Sequence, residues 1–204
     1  MSKFFGEFPE GFWEPVRLND PTNMGESLVG KPEAAAKHID TFRKKSREFG
    51  APLPGAICEL LKKSELQDVR GNGKCGVYAI MAMLYRRLPV LRSTSHALFM
   101  EQIAPIMHEH DVEENPRDID SDVLCRIMRT YFSIYLPEIE NPSFAVFSLT
   151  DGTVKFDATP ASADSTDNLF TILHNSGHYK ALLLTERDRR AVYLKLQEYM
   201  ASNG

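Results

Sequence analysis

The stretch DVRGNGKCGVYAIMAMLYRRL, residues 68–88, decides the fold expected for this chain. Glycines 71 and 73 predict a tight turn, and the apolar run that follows Cys75 ends before Pro89. The pattern predicts a loop that leads into a largely buried helix, with Cys75 at the helix N-terminus. The first turn of a helix offers partial positive charge and unpaired backbone N–H groups, which favour a thiolate and can bind an oxyanion. Cys75 is therefore a candidate nucleophile, although a small buried hydrophobic residue is the ordinary role of a free cysteine.

A nucleophilic cysteine needs a base, and His178 is the best-placed histidine to supply it. It follows the turn residues Asn175–Ser176–Gly177 and begins the predicted strand HYKALLL. Cysteine proteases commonly place the cysteine on an early helix and the histidine on a late strand, so that the two meet only in the fold. The pair Cys75 and His178 predicts a thiol hydrolase.

The rest of the chain predicts an α+β domain, with helices packed on a mainly antiparallel sheet. Residues 1–30 lack a clear period and are expected to form an irregular arm, whereas residues 31–204 are expected to form a single catalytic domain. The Asp-Gly pair between the first two strand patterns predicts a hairpin. The predicted helices cover residues 32–50, 55–66, 75–88, 95–108, 121–135 and 186–200, and the predicted strands are FAVFSL, VKFDA, LFTIL and YKALLL.

Composition excludes several classes of function. The 204 residues carry a formal net charge of −4, which does not suit a nucleic-acid binder but suits a partner with a basic patch or tail. Three widely spaced cysteines argue against a disulfide framework and a zinc site, and fit the cytoplasm. No apolar stretch is long enough to cross a membrane, and the first residues lack the pattern of a signal peptide.

The residues around both candidates resemble a known family. The segment NGKCGVYAI, residues 72–80, resembles the D-G-N-C-L-F-R-A-I signature of ovarian tumour (OTU) family deubiquitinases, and Gly177–His178–Tyr179 is similar to that family's G-H-Y element. The likeness covers roughly residues 66–185. It implies a papain-like fold, no metal or cofactor, and cleavage of the bond after the C-terminal Gly-Gly of ubiquitin or a ubiquitin-like modifier. By this resemblance Cys75 attacks the carbonyl, His178 takes the thiol proton, and the backbone from Asn72 to Cys75 forms the oxyanion hole.

One position departs from the family pattern. The residue two after the histidine is usually Asp or Asn and orients the imidazole, but here it is Lys180, which donates hydrogen bonds only. Another residue must then orient His178, or the site is a dyad or inactive. Asn72 is ranked first by its place in the motif, and the other candidates are Asp40, Asp68 and Asn175.

Further hypotheses concern the partner and the class of protein. A run of acidic side chains is expected either to attract a basic ubiquitin tail or to be an ordinary solvated loop with helix N-terminal acids. A bacteriocin-type double-glycine peptidase is one alternative, with Gln67 as the nearest glutamine to the nucleophile. A ubiquitin-binding module without activity is the other, favoured by Lys180. The acidic run comprises Glu109, Asp111, Glu113, Glu114, Asp118, Asp120 and Asp122.

Overall fold

The computed structural model describes residues 33–49, 52–69, 71, 73–88, 96–113, 116–158 and 168–203. The predicted arm, residues 1–30, lies outside this set. The helices are α1 (Ala36–Phe49), α2 (Gly55–Lys62), α3 (Cys75–Arg87), α4 (His96–Glu109), α5 (Ser121–Tyr135) and α6 (Glu186–Asn203). The strands are β1 (Glu33–Ala34), β2 (Glu65–Gln67), β3 (Ser143–Ser148), β4 (Val154–Asp157), β5 (Leu169–Asn175) and β6 (His178–Leu183).

The chain divides into two compact units, and the α+β class is confirmed. Among the described residues, the first unit holds 67–136 and 177–181, and the second holds 33–66, 137–176 and 182–203. That residues 31–204 act as a single catalytic domain stays a prediction. No helix in the described ranges is both long and apolar enough to cross a membrane.

The first unit is built around α5, which packs against α3 and α4. The carboxylate of Asp120 caps α5 by accepting the Asp122 N–H at 2.9 Å. One face of α5 is buried, and its Tyr131 ring meets Phe99 of α4 edge to face, with the ring centres 5.5 Å apart. The amphipathic pattern predicted this helix at its observed bounds.

The second unit contains most of a six-stranded sheet with the order β1-β2-β6-β5-β3-β4. Strands β3 and β4 form the predicted antiparallel hairpin and β1 pairs antiparallel with β2, whereas β3 and β5 run parallel, so the sheet is mixed. Parallel neighbours need a long connection, and β4 lies between β3 and β5 in the sequence. Helices α1, α2 and α6 surround a buried cluster in which Phe42 meets Phe147 edge to face at 5.6 Å.

Two helices have different bounds in the structure from those predicted. Helix α1 begins at Ala36 rather than at residue 32, because Glu33 and Ala34 pair antiparallel with Leu66 and Glu65. For the same reason the predicted helix over residues 55–66 ends at Lys62, and the residues that follow turn into β2. A three-residue strand is too short to leave a periodic signal in the sequence. This strand matters for the site, because Asp68 follows it directly.

Candidate active site

Cys75 is the first residue of α3, where the sequence predicted it. The first intrahelical bond runs from the Tyr78 N–H to the Lys74 carbonyl at 3.0 Å. The N–H groups of the residues before Tyr78 therefore point out of the helix end, where an anion is stabilised. The Cys75 residue itself is only 1% exposed.

The loop ahead of Cys75 is shaped by close backbone packing. Gly73 has a φ of +80°, and a Cβ atom there would collide with the backbone oxygen of Pro116. Gly76, in the first turn of α3, faces the side chains of Leu124 and Tyr179 so closely that a Cβ would displace Leu124. The contact at Gly73 requires a glycine, and both contacts place the loop and the helix end on either side of the thiol.

His178 begins β6 immediately after a tight turn. Ser176 and Gly177 both have positive φ, 50° and 81°, which is the pattern of a type I′ hairpin turn. Asp118 lies against this turn, with a carboxylate oxygen 3.3 Å from the position of a Cβ on Gly177. The turn sets where β6 starts, and so it sets the position of His178 relative to Cys75.

Asp68 is the residue that holds the imidazole. The Nε2–H of His178 donates to Asp68 Oδ1 at 2.6 Å, and Lys180 Nζ lies 3.1 Å from Asp68 Oδ2. The Val69 N–H also donates to Oδ1, at 2.8 Å. The three side chains are partly withdrawn from water, with 31% exposure for His178, 20% for Lys180 and 16% for Asp68. One carboxylate thus binds the histidine with one oxygen and the lysine with the other.

The thiol of Cys75 lies against the start of β6. The Tyr179 N–H donates to Sγ at 3.4 Å, and the thiol approaches the Gly177 carbonyl at 3.7 Å. The His178 imidazole also interacts with this thiol. Because Nε2 is bound to Asp68, Nδ1 is the ring nitrogen left for the thiol. Nδ1 also lies 3.4 Å from where a Cβ on Gly71 would be, which places it beside the loop that leads to Cys75.

The electrostatics of the cluster favour a charged histidine. The hydrogen bond with Asp68, followed by that with the Cys75 thiol, raises the pKa of His178 to about 9, against the opposing effect of burial. Burial by itself would raise the pKa of Asp68, but the hydrogen bond from His178 and the charge of Lys180 outweigh it and hold that pKa below its ordinary value. At neutral pH the site therefore combines an imidazolium with an ionised Asp68.

Tyr179 connects the site to the body of the first unit. Its hydroxyl donates to the Ile119 carbonyl at 2.7 Å and lies 3.2 Å from the Ser121 hydroxyl. Burial raises the pKa of Tyr179 well above its ordinary value, so the phenol stays neutral. The backbone N–H that contacts the thiol thus belongs to a residue whose side chain is itself fixed.

The predicted orienting residues have different fates. Asn72, ranked first, lies outside the described residues, so its role stays a prediction. Asp40 forms an ion pair with Lys62 at 2.7 Å, and Asn175 is the exposed last residue of β5. Asp68 is the candidate that contacts His178. The sequence feature that could have identified Asp68 is Lys180, since a lysine on the same face of β6 as His178 attracts a carboxylate.

Two acids of the acidic run have different positions in the structure. Asp120 caps α5, as the helix N-terminal interpretation expected, whereas Asp118 lies beside the turn that carries His178. Glu114 lies outside the described residues. In the part of the chain that the structure describes, no group of three or more His, Cys, Asp or Glu side chains is arranged to hold a metal ion.

Comparison with known proteins adds no assignment. The chain matches no protein-family model, no curated protein and no solved structure. The likeness to OTU deubiquitinases therefore remains a resemblance of the two short motifs around Cys75 and His178.

Proposed function

We propose that this chain is a cysteine hydrolase in which Cys75 is the nucleophile, His178 the proton carrier and Asp68 the orienting acid. The observation that carries the proposal is the continuous arrangement from Asp68 Oδ1 through the His178 ring to the thiol at the N-terminus of α3. A nucleophile, a base and a group that fixes the base are the parts that acyl transfer requires. The raised pKa of His178 favours its imidazolium form at neutral pH, and an imidazolium can give a proton to a leaving group.

The reaction follows from these positions. With the thiol proton taken up by His178, the sulfur of Cys75 attacks the substrate carbonyl carbon, and the C–O double bond opens to an oxyanion near the N-terminus of α3, whose backbone N–H groups stabilise it. His178 then gives its proton to the leaving amine as the C–N bond breaks and a thioester forms. Water, deprotonated by His178, attacks the thioester, and the acid product leaves as the sulfur is released. Asp68 stays ionised throughout and holds the ring.

The proposed substrate is ubiquitin, polyubiquitin or a ubiquitin-like modifier, cleaved after its C-terminal Gly-Gly. The support is the motif resemblance at residues 72–80 and 177–179, together with a chain of net charge −4. Asp118 is the acid of the run that lies nearest the turn before His178, and it is the candidate to bind a basic side chain of the partner's tail.

A ubiquitin probe with a C-terminal electrophile tests the proposal directly. Incubation with the full chain is expected to give a covalent adduct at Cys75, which mass spectrometry locates, and Cys75→Ala is expected to give none. Cys58→Ala is the matched control, because Cys58 is equally buried, its pKa is raised by burial, and it lies in the second unit. Probes ending in other Gly-Gly modifiers, used in parallel, define the modifier. A folded chain that forms no adduct with any of these probes contradicts the substrate assignment.

A binding protein without activity is the second candidate, and the burial of the thiol favours it. Sγ is enclosed by the Gly177 carbonyl and the Tyr179 N–H, and Cys75 is only 1% exposed. Calorimetry with ubiquitin separates the two functions. Equal affinity of wild type and Cys75→Ala, without cleavage of any chain type by the wild type, selects the binding protein.

A further inference from the structure

The lysine that replaces the family's usual acceptor is itself attached to the acid of the site. Side chains two apart on a strand point to the same face, so His178 and Lys180 of β6 both face Asp68. Lys180 Nζ lies 3.1 Å from Oδ2, while His178 Nε2 lies 2.6 Å from Oδ1. The carboxylate therefore bridges two side chains of one strand.

We propose that Lys180 is a positioning residue, which holds Oδ2 of Asp68 and so keeps Oδ1 directed at His178. The proposal rests on the assignment of Cys75 and His178 as the reacting pair, but it does not depend on ubiquitin being the substrate. Lys180 acts through Asp68 and carries no proton in the reaction.

Among the residues that the structure describes, the other contacts on Asp68 leave this role to Lys180. The side-chain amide of Gln67 donates to the Asp68 carbonyl at 2.9 Å, which fixes the backbone, and the Val69 N–H acts on Oδ1. Neither contact acts on Oδ2, and a rotation of the carboxylate about its Cβ–Cγ bond moves Oδ2 together with Oδ1. A charge-assisted bond between partly buried groups is stronger than a surface ion pair and is suited to this restraint.

A purely electrostatic role for Lys180 makes the opposite prediction. A second cation near the imidazole disfavours its protonation, so removal of the lysine charge alone would raise the pKa of His178. If Lys180 instead positions Asp68, its removal loosens the bond that contributes most to the raised pKa of His178, and that pKa falls. The direction of the change separates the two roles. The ionisable groups that act on His178 are Asp68 and Cys75, with Lys180 paired to Asp68.

The experiment is an NMR titration of the His178 ring in the full chain. Lys180→Met, which removes the ammonium group, is expected to lower the pKa of His178. Lys180→Arg, which keeps a donor cation, is expected to leave that pKa close to its value in the wild type. In an Asp68→Asn background the Lys180→Met change is expected to cause no further fall in the pKa of His178, since the two residues act as one unit. A rise in the pKa with Lys180→Met, no change, or an equal fall in both backgrounds overturns the proposal. Lys180→Gln replaces Lys180→Met if the latter does not fold.

A kinetic measurement gives an independent readout without a protein substrate. The alkylation rate of Cys75 by iodoacetamide at pH 7, followed by mass spectrometry, is expected to fall about tenfold in Lys180→Met and to recover in Lys180→Arg. An unchanged rate in Lys180→Met contradicts the proposal. If the titration and alkylation behave as expected while ubiquitin probes do not react, the role of Lys180 stands and the substrate assignment fails. If the probes react but the pKa of His178 rises in Lys180→Met, the substrate assignment stands and the proposed role of Lys180 is contradicted.

Discussion

Replacing Asp68 with Asn is the perturbation that tests the site most severely. The rise in the pKa of His178 from 6.5 to about 9 corresponds to about 3 kcal/mol of preferential stabilisation of the imidazolium. The bond with Asp68 is its largest cause, ahead of the bond with Cys75. Asparagine keeps an acceptor oxygen but removes the charge, so we expect at least about 1.4 kcal/mol of this stabilisation to be lost, a tenfold change in the imidazolium–imidazole equilibrium.

The same change predicts a specific pH dependence of stability. Because the pKa of His178 is raised in the folded chain, its contribution is fully present below pH 6.5 and is lost as the pH rises through about 9. Asp68 has a lowered pKa, so its contribution is present above its ordinary value of 3.8 and is lost as the pH falls through the folded value. Asp68→Asn is expected to flatten both limbs of the stability profile.

Urea unfolding at pH 6.5 and at pH 9.5 measures the alkaline limb. Between these two pH values the free energy of unfolding of the wild type is expected to fall by up to about 3 kcal/mol more than that of a chain in which His178 has no carboxylate partner. The fall in Asp68→Asn is expected to be clearly smaller. Asp151→Asn is the matched control. Burial tends to raise the pKa of Asp151, but hydrogen bonds from the backbone and hydroxyl of Thr153 outweigh it and lower that pKa, so only the acid limb should change. If Asp68→Asn and Asp151→Asn have the same alkaline limb, the assignment of Asp68 as the partner of His178 is refuted.

Two further predictions concern the frame around the thiol. Gly73→Ala is expected to lower the free energy of unfolding, measured in urea, by at least about 2 kcal/mol and to suppress probe labelling. The reason is that a side chain at positive φ is strained and this one collides with the Pro116 backbone. Gly71→Ala, whose Cβ meets no backbone, is the stability control. Tyr179→Phe is expected to lower the free energy of unfolding by about 1–2 kcal/mol, because the buried Ile119 carbonyl loses its hydrogen-bond donor. A Tyr179→Phe chain that unfolds at the wild-type urea concentration would show that this hydroxyl does not fix the start of β6.

The elements with strong local signals were predictable from sequence. The buried helix after Cys75, the amphipathic helix at residues 121–135 and the hairpin at Asp151–Gly152 each have a periodic pattern or a specific turn pair, and each is present. The strand β2 was not predictable, because three residues have no measurable period and its pairing with β1 is a property of the fold. The parallel pairing of β3 with β5 was missed for the same reason, since local sequence does not specify strand order.

The sequence predicted two of the side chains that meet at the candidate site, but not its full geometry. Cys75 and His178 stand out because their neighbours are unusual, with glycines on one side and a buried run on the other. Asp68 has no such neighbourhood and lies 110 residues from its partner, so the ranking by motif placed Asn72 ahead of it. The informative residue was Lys180. A lysine where an acceptor is expected was interpreted as a missing part, whereas in the fold it indicates where a carboxylate lies.

The charges of the site explain why positions 68 and 180 depend on each other. A partly buried carboxylate next to an imidazolium is stable only when its remaining oxygen is also satisfied, and a partly buried lysine likewise needs a counter-ion. With Asp68 and Lys180 paired, an imidazolium at His178 leaves these three side chains with a formal charge of +1. An acid at position 180 without the lysine would leave that cluster with a net negative charge. The carboxylate that binds His178 therefore has its own cation, and neither position can change alone without leaving a poorly solvated charge beside the proposed reacting pair.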